Sequence, residues 1–415
     1  MQVVVIGGGV IGVCTAYFLA EAGHEVVLIE RHGNVAEQAS FGNAGIVAPA
    51  YATPWAQPGI ARQFLSYIFK HEAPVLLKPS MDPALWRWLR LWVAECELQQ
   101  YRTNLNRMQR VASYSRDVLL QLRERERFDY EQTRGYIQLF RTERDVALAQ
   151  PLLDLLTEQG SLLNLLDAAG ARAIEPGLSA DTPLAGGLHL PDDETGNCSL
   201  FTKQLKLAAQ AIGVTFHFGS TVMALSAHER RVGLQVEDRE FSADAVVVAA
   251  GVESTQLLAQ LGIQVPLYPV KGYSATANIK NFEQAPLSAV MDEAYKVAIS
   301  RMGTRLRIAG LAEFGSRPLE MREAALRTLI KVGEDWFPDA ANYRNAQFWC
   351  GTRPMLPDGP PLLGATPVKN VYVNIGHGPT GWVMAAGSGK LVADIVSGRE
   401  PEIDMDGLTL ARFRQ

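Results

Sequence analysis

The chain opens with short apolar runs on either side of a helix-like stretch. Val3 to Ile6 is continuously apolar, which is typical of a strand buried on both faces of a parallel sheet. Ile11 to Ala22 has the spacing and the small residues of a closely packed helix, and Val26 to Ile29 is a second buried strand. This order of strand, helix and strand predicts a βαβ unit and an α/β fold.

The rest of the chain alternates between loops, helices and strands. A stretch rich in glycine, alanine and proline predicts an extended loop at 40–58, and helical patterns follow from about 60 to 122. Further helices are predicted at 146–160 (starting as late as Pro151), 200–212 and 320–336, and strands at 133–140, 214–218, 245–249 and within 271–312. From 371 to 398 the chain returns to a strand, a glycine turn and a helix.

Since α/β elements stand at both ends, we expect a discontinuous domain. A length of 415 residues agrees with two domains rather than one core. The segments 1–85, 192–262 and 350–415 would form a Rossmann-like nucleotide-binding domain, and 86–191 and 263–349 would form an inserted α+β domain.

Composition and charge narrow the class of protein. Hydrophobic residues make up 47% and charged residues 20%, as in ordinary globular enzymes, and a net charge of -5 gives no support for nucleic-acid binding. The four cysteines form no CxxC pair, so neither a disulfide framework nor a zinc site is expected. No uncharged stretch reaches the roughly 20 residues of a membrane span, and no signal peptide is recognisable. We expect a cytoplasmic protein without a resident metal ion.

A glycine motif follows the first strand and begins the first helix. Gly7 permits the tight turn, Gly9 allows the backbone to approach a pyrophosphate, and Gly12 allows the helix to pack on the strand. Glu30 ends the second strand, where an acid that bonds a ribose hydroxyl is expected. The motif predicts a dinucleotide site, and a glycine turn without ligand is the alternative.

The residues after Glu30 favour FAD over NAD as the dinucleotide. A typical NAD enzyme would form another helix soon after this acid. Here a loop of small residues follows, from Ser40 to Gly45, which would allow the chain to run beside a bulky, extended ligand.

Several segments together resemble a known family. They are Val3 to Tyr51 with Gly42-Asn43-Ala44-Gly45, the motif Pro-Asp-Asp-Glu-Thr-Gly at 191–196, Val-Lys-Gly-Tyr-Ser at 270–274, Gly-Thr-Arg-Pro at 351–354 and Gly-His-Gly-Pro-Thr-Gly-Trp at 376–382. The chain resembles the D-amino-acid oxidase superfamily of FAD enzymes nearly end to end. Within it, the chain is most similar to the small, catalytic subunits of bacterial D-amino acid dehydrogenases.

The resemblance implies a fold and a reaction. The inserted domain would bind the substrate on a curved antiparallel sheet. The reaction would be oxidative deamination of a D-amino acid, such as D-alanine, to a 2-oxo acid and ammonia, with electrons passing to a quinone or respiratory carrier. The alternatives are an oxygen-using oxidase of the glycine, sarcosine or proline type, and a non-catalytic electron-relay subunit.

The motif and the resemblance together give a set of expected cofactor residues. The backbone at Val222 would bind the adenine, and the turn at 376–381 would face the flavin. His377 would either hydrogen-bond near the flavin or hold the loop. Some relatives attach FAD through a cysteine, but Cys350 is offset by one strand position, so we expect non-covalent FAD. The full set is Gly7, Gly9, Val10, Ile11, Gly12, Glu30, Arg31, Ser40, Asn43, Ala44, Gly45, Val222, Ala250, Gly251, Gly376, His377, Gly378, Thr380, Gly381 and Trp382.

A second set is expected to bind the substrate. Arg353 matches the family's carboxylate-binding arginine, whose planar fork suits a carboxylate. Tyr295 resembles the tyrosine that supplies a hydroxyl to the same group, with core packing as its alternative. Tyr273, Lys271 and Tyr51 are candidates for the pocket wall. No side-chain base is required, because the flavin accepts the electrons.

The segment 85–92 is unusually rich in tryptophan, leucine and arginine. On a helix, Leu85, Trp88, Leu89 and Trp92 share one face. Such a face suits either the core or peripheral contact with the inner membrane.

Overall fold

The computed structural model describes residues 1–61, 74–78, 80–158, 160, 162–315 and 319–413. The predicted helical pattern between 62 and 73 lies outside them. The helices are α1 Val10–Glu21, α2 Pro83–Ala94, α3 Leu98–Glu126, α4 Glu143–Glu158, α5 Ala168–Ile174, α6 Cys198–Ala211, α7 Ser254–Ala259, α8 Glu323–Trp336 and α9 Gly381–Val396.

The strands include most of those predicted and several that were not. The pattern of 222–243 and the short strand at 75–77, inside a stretch predicted to be helical, were missed. The strands are β1 Gln2–Ile6, β2 Glu25–Ile29, β3 Ile46–Val47, β4 Val75–Leu77, β5 Thr133–Phe140, β6 Asn164–Asp167, β7 Gly186–Thr195, β8 Thr215–His217, β9 Val222–Ala227, β10 Val232–Val236, β11 Arg239–Ala243, β12 Ala245–Val248, β13 Tyr268–Asn278, β14 Ala289–Asp292, β15 Val297–Met302, β16 Arg305–Phe314, β17 Gln347–Met355, β18 Leu362–Ala365 and β19 Val371–Ile375.

The first sheet confirms the predicted α/β fold class. Its order is β18-β19-β12-β1-β2-β8, and every strand is parallel to its neighbour except β18 at the edge. β1 lies between β12 and β2, and Val3 to Ile6 are at most 5% exposed. The continuous apolar run therefore belongs to a central strand covered on both faces.

Close helix packing covers one face of this sheet. α1 is apolar on all sides because α6 and α9 pack against it together. A Cβ on Gly389 of α9 would lie 2.8 Å from the Cys14 backbone carbon, so only glycine permits this crossing. α3, assigned from the sequence to the inserted domain, packs its Met108 and Leu119 into this same core. The division into two domains stays a prediction.

A larger mixed sheet occupies the other half of the fold. Its main order is β17-β13-β16-β15-β14-β5-β7-β3, and α8 packs its buried Leu329, Val332 and Trp336 in the core on one side. β13 is antiparallel to both β16 and β17, and a bulge interrupts the β13–β16 register between Lys271 and Tyr273. This bulge and β17 shape the site described below.

The tryptophan-rich helix α2 packs its apolar face inward. Leu85, Trp88 and Trp92 are at most 5% exposed and belong to one hydrophobic cluster with Tyr268 and Phe314 of the larger sheet, where the Trp88 ring packs near both of these rings. The Trp88 indole N–H donates to the Met355 carbonyl at 3.0 Å. The face considered for membrane contact is thus a core face. Among the described helices, none has the length and apolar character needed to cross a bilayer.

Candidate active site

An elongated cavity of about 1230 Å³ joins the two sheets. It extends from the carboxyl ends of β1, β2 and β12, along the loop after β2, to β13, β16 and β17. The opening of an α/β sheet at the carboxyl ends of its strands is where such folds bind ligands. Most of the expected cofactor and substrate residues line this one cavity.

The glycine motif forms the first end of the cavity. Gly7 has φ +110°, and a Cβ there would lie 2.5 Å from the Ala249 carbonyl oxygen. A Cβ on Gly12 would lie 1.9 Å from the Gly7 carbonyl oxygen, so α1 packs on the turn itself. Gly12 lies behind the cavity wall, whereas Gly9, Val10 and Ile11 line it. At Gly9 a Cβ would meet only the Ser40 hydroxyl at 3.5 Å, which leaves this face of the turn open.

Glu30 and Arg31 stand at the same end. Glu30 accepts hydrogen bonds from the Gly8 N–H at 2.5 Å and from the His32 N–H at 2.8 Å, so it also braces the turn. Arg31 forms an exposed ion pair with Glu253 at 2.8 Å. Val222, Ala250 and Gly251 complete this end of the lining.

The loop after β2 forms the middle of the cavity. The Ser40 hydroxyl accepts from the Val10 N–H at 3.0 Å, which joins the loop to the start of α1. The Asn43 side chain accepts from the Gly45 N–H at 2.7 Å, a local turn that exposes Asn43 and Ala44 to the cavity. Gly45 itself lies behind the lining, with φ +88°.

The C-terminal turn forms the opposite wall. Gly376 and Gly378 have φ of +83° and +54°, and α9 begins at Gly381 without a side-chain cap. Since Gly381 and Trp382 line the cavity, the uncapped N-terminus and the positive end of the helix dipole lie beside it. Thr380 and Trp382 also line this wall, although the Trp382 ring packs on Phe201 with ring centroids 4.7 Å apart.

His377 joins this turn to α9. Its Nε2 atom lies 3.1 Å from the Ser388 hydroxyl, and burial lowers the pKa of the imidazole to about 3. His377 is therefore neutral near pH 7. Two roles were expected for His377, and its contact with Ser388 supports the role of holding the loop.

Arg353 is the cation at the substrate end of the cavity. Two of its N–H groups donate to the Leu311 and Gly310 carbonyls at 2.8 and 3.3 Å, and no carboxylate among the described residues pairs with it. Burial lowers the pKa of its guanidinium to about 10, so the charge persists at neutral pH. Since a guanidinium has five N–H donors, three remain for a ligand.

Neighbouring backbone makes room for Arg353. Leu311 has φ +57°, at the bulge opposite β13, and its carbonyl points to the guanidinium. A Cβ on Gly272 would lie 2.1 Å from the Arg353 Nη1 atom, so the glycine leaves the space that the fork fills. The bulge and the glycine thus fix the arginine before any ligand binds.

Tyr51 and Tyr295 both line the cavity but have different neighbours. Burial raises the pKa of Tyr51 to about 12, with Lys296 and Arg353 among the charges that act on it. The Tyr295 ring instead lies 5.0 Å from the Arg141 guanidinium carbon and 4.9 Å from the Lys331 ammonium. Tyr51 is thus the tyrosine that the structure associates electrostatically with Arg353.

Tyr273, Lys271 and Cys350 lie on the other face of the sheet. Strand pairing places Tyr273 opposite Cys350, one position out of phase with Arg353. The Tyr273 hydroxyl donates to Glu313 at 2.5 Å, and Lys271 lies 3.4 Å from the same carboxylate. Lys271 and Cys350 do not line the cavity, and Tyr273 borders it with its side chain directed away. The expectation that Lys271 forms the pocket wall is corrected.

Several lining residues were missed by the sequence reasoning. Trp349 packs on the loop, since a Cβ on Gly42 would lie 2.0 Å from its Cζ3 atom. The sequence could have indicated this position, because Trp349 stands two residues before Gly351 and four before Arg353, and alternate residues of a strand share a face. Gln138, Glu293, Lys296 and Arg141 also line the substrate end.

Comparison with known proteins identifies the class. The model of the family described as FAD dependent oxidoreductase (DAO) matches residues 2–395. The chain belongs to this family and is an FAD-dependent oxidoreductase, which confirms the fold, the enzyme class and the cofactor.

Named relatives confirm the closer resemblance. A D-amino acid dehydrogenase of Rhizorhabdus wittichii is 45% identical over 416 residues, and one of Agrobacterium fabrum is 43% identical, with 100% of each chain covered. Among solved structures, glycine oxidase from Geobacillus kaustophilus has a TM-score of 0.78 at 22% identity, over 100% of both chains. L-proline dehydrogenase from P. horikoshii has a TM-score of 0.75 at 19% identity, covering 99% of this chain and 97% of its own. These two structures show the fold alone.

The residues present fit an FAD. The cavity continues from the open glycine turn, past the small residues Asn43 and Ala44, to the uncapped start of α9. The turn offers backbone donors to a pyrophosphate, and the positive helix end suits a group that becomes negative on reduction. Among the described residues, no cluster of His, Cys, Asp or Glu is placed to bind a metal ion.

Proposed function

We propose that the chain oxidises D-amino acids, with small neutral ones such as D-alanine preferred, to 2-oxo acids and ammonia. One observation carries the proposal: Arg353 is a partly buried cation that lines the cavity and has no carboxylate partner among the described residues. An amino acid supplies such a carboxylate. The names of the relatives support the choice of D-amino acids.

The protein groups at this end orient the substrate. The three remaining Arg353 donors would bind the carboxylate. The Tyr51 hydroxyl, whose pKa burial raises to about 12, would donate a further hydrogen bond. Neither group is suited to remove a proton, which agrees with a substrate that reacts as its neutral amine. A bound flavin would supply the hydride acceptor.

The acceptor that regenerates the enzyme is proposed to be a quinone or another respiratory carrier. The test is anaerobic addition of amino acids to the yellow holoenzyme. D-alanine should bleach the flavin absorbance, and L-alanine should not. A quinone should then restore the colour faster than dissolved oxygen does.

Other outcomes would redirect the proposal. Faster reoxidation by oxygen would indicate an oxidase. Bleaching by glycine, sarcosine or proline alone would indicate a related amine enzyme, and no bleaching with any amino acid would indicate an electron-relay subunit.

Peripheral contact with the cytoplasmic face of the inner membrane is proposed through the outer face of α2. Trp88 is buried, but Trp86 and Val93 are 55% and 52% exposed, and Arg87 and Arg90 are exposed beside them. Liposome flotation should therefore respond to Trp86→Ser. Flotation that is equal for this variant and the unchanged protein would exclude α2 as the contact.

A further inference from the structure

The loop that forms the middle of the cavity is held from behind by side chains of the larger sheet. Four consecutive or nearly consecutive carbonyls of this loop accept hydrogen bonds from that sheet. Arg307 donates to the Phe41 carbonyl at 2.8 Å and to the Asn43 carbonyl at 3.1 Å. Ser300 donates to the Ala44 carbonyl at 2.6 Å, and Thr195 donates to the Gly45 carbonyl at 2.9 Å.

Arg307 differs from the other donors because it carries a charge. It is 5% exposed, and no carboxylate of the described residues forms an ion pair with it. Its Nε atom also has no hydrogen-bond partner there. Burial, and then the nearby Arg305, lower the pKa of the Arg307 guanidinium to about 10, so it remains a cation at neutral pH. A buried cation without a counter-ion is costly and calls for an explanation.

The placement of Arg307 suggests where its charge acts. The guanidinium does not line the cavity, but both carbonyls that it binds belong to the loop whose Gly42, Asn43 and Ala44 do. Its field therefore reaches the cavity through one layer of backbone. In a medium of low dielectric constant, such a charge is only weakly screened by water.

We propose that Arg307 is a positioning residue for the FAD of this enzyme and that it raises the reduction potential of the flavin. Its fork fixes the loop at two carbonyls, and its charge favours the reduced, more negative cofactor. The inference rests on membership of the FAD family and not on the proposed substrate.

The test separates the two effects with three variants of the holoenzyme. Arg307→Gln removes the charge, Arg307→Lys keeps the charge but loses the fork, and Ser300→Ala removes one loop contact without a change of charge. The readouts are the midpoint potential of the bound flavin, measured by dye equilibration without substrate, and the dissociation constant for FAD.

We expect Arg307→Gln to disfavour reduced flavin about tenfold, which is about 30 mV for a two-electron couple. Arg307→Lys and Ser300→Ala should leave the potential near that of the unchanged protein while weakening FAD binding several-fold. If the Gln variant does not fold, Arg307→Met repeats the test without a buried amide.

Two results would overturn the proposal. Equal potentials in the Lys and Gln variants would show that the charge does not act on the flavin. FAD binding that is unchanged in Arg307→Lys would show that the fork does not position the loop. Because neither measurement uses an amino acid, failure here is distinct from failure of the proposed substrate.

Discussion

Replacement of Arg353 by methionine tests the substrate site most directly. The variant removes the donors that are expected to bind the substrate carboxylate. Hydrogen bonds to a charged group contribute about 1.5–3 kcal/mol each, so a two-bond fork is worth about 3–6 kcal/mol. At about 1.4 kcal/mol for each factor of ten, kcat/KM for D-alanine should fall by roughly two to four orders of magnitude.

The fold should survive this change. The Gly310 and Leu311 carbonyls would each lose a donor, but a partly buried cation would also be removed. FAD should therefore remain bound, as seen from the flavin absorbance after gel filtration. Cys350→Ser is a matched control, because Cys350 lies on the same strand with its side chain on the opposite face. Its kinetics should match those of the unchanged protein.

The assay is dye reduction with D-alanine and with D-alanine amide, which lacks the carboxylate. The loss in Arg353→Met should appear with the acid and largely disappear with the amide. If kcat/KM for D-alanine stays within threefold of the starting value while FAD is bound, the carboxylate is held elsewhere.

Three further predictions concern stability. His377 has a folded pKa of about 3, below its ordinary 6.5, so its contribution to stability is present above pH 6.5 and is lost as the pH falls. Between pH 6.5 and 5 the free energy of unfolding should drop by about 2 kcal/mol, and His377→Gln should remove this slope in denaturant titrations. Asp193 is 5% exposed, and burial raises its pKa from 3.8 to about 7, so the protein loses stability as this carboxyl ionises with rising pH. At pH 8, Asp193→Asn should therefore be more stable than the unchanged protein by at most about 4 kcal/mol. Equal stabilities at pH 8 would contradict the burial argument. Gly389→Ala should lower Tm, because the new methyl group overpacks on Cys14 at a cost of about 1–3 kcal/mol, whereas the gain in helix propensity is about 1 kcal/mol. A higher Tm would show that α1 and α9 separate easily.

The nucleotide half of the fold was largely predictable, because its signals are local. Val3 to Ile6, the glycines up to Gly12 and the acid Glu30 act within one βαβ unit. By contrast, α3 packs against α1 and α9, and its contact with α9 joins residues more than two hundred and fifty positions apart in the sequence. Nothing in the pattern of α3 alone states which domain it joins.

The substrate end was less predictable because it depends on which face of a strand a residue occupies. Arg353 and Trp349 share one face of β17, whereas Tyr273 and Lys271 of β13 point to the other. β13 and β17 pair in regular register, with Lys271 opposite Thr352 and Tyr273 opposite Cys350, so the face of each residue follows from which positions pair. Motif spacing could place these residues on neighbouring strands but not on the same side of the sheet.

The cavity draws its walls from segments near opposite ends of the sequence, the turn at Gly7 and the turn at Gly376. A cofactor bound between them acts as a non-covalent link that only the native chain can form. By mass action, free FAD at a hundredfold excess over its dissociation constant would add about 2.7 kcal/mol to the free energy of unfolding. Flavin supply would then set how much of this protein escapes proteolysis, and not only how fast it turns over.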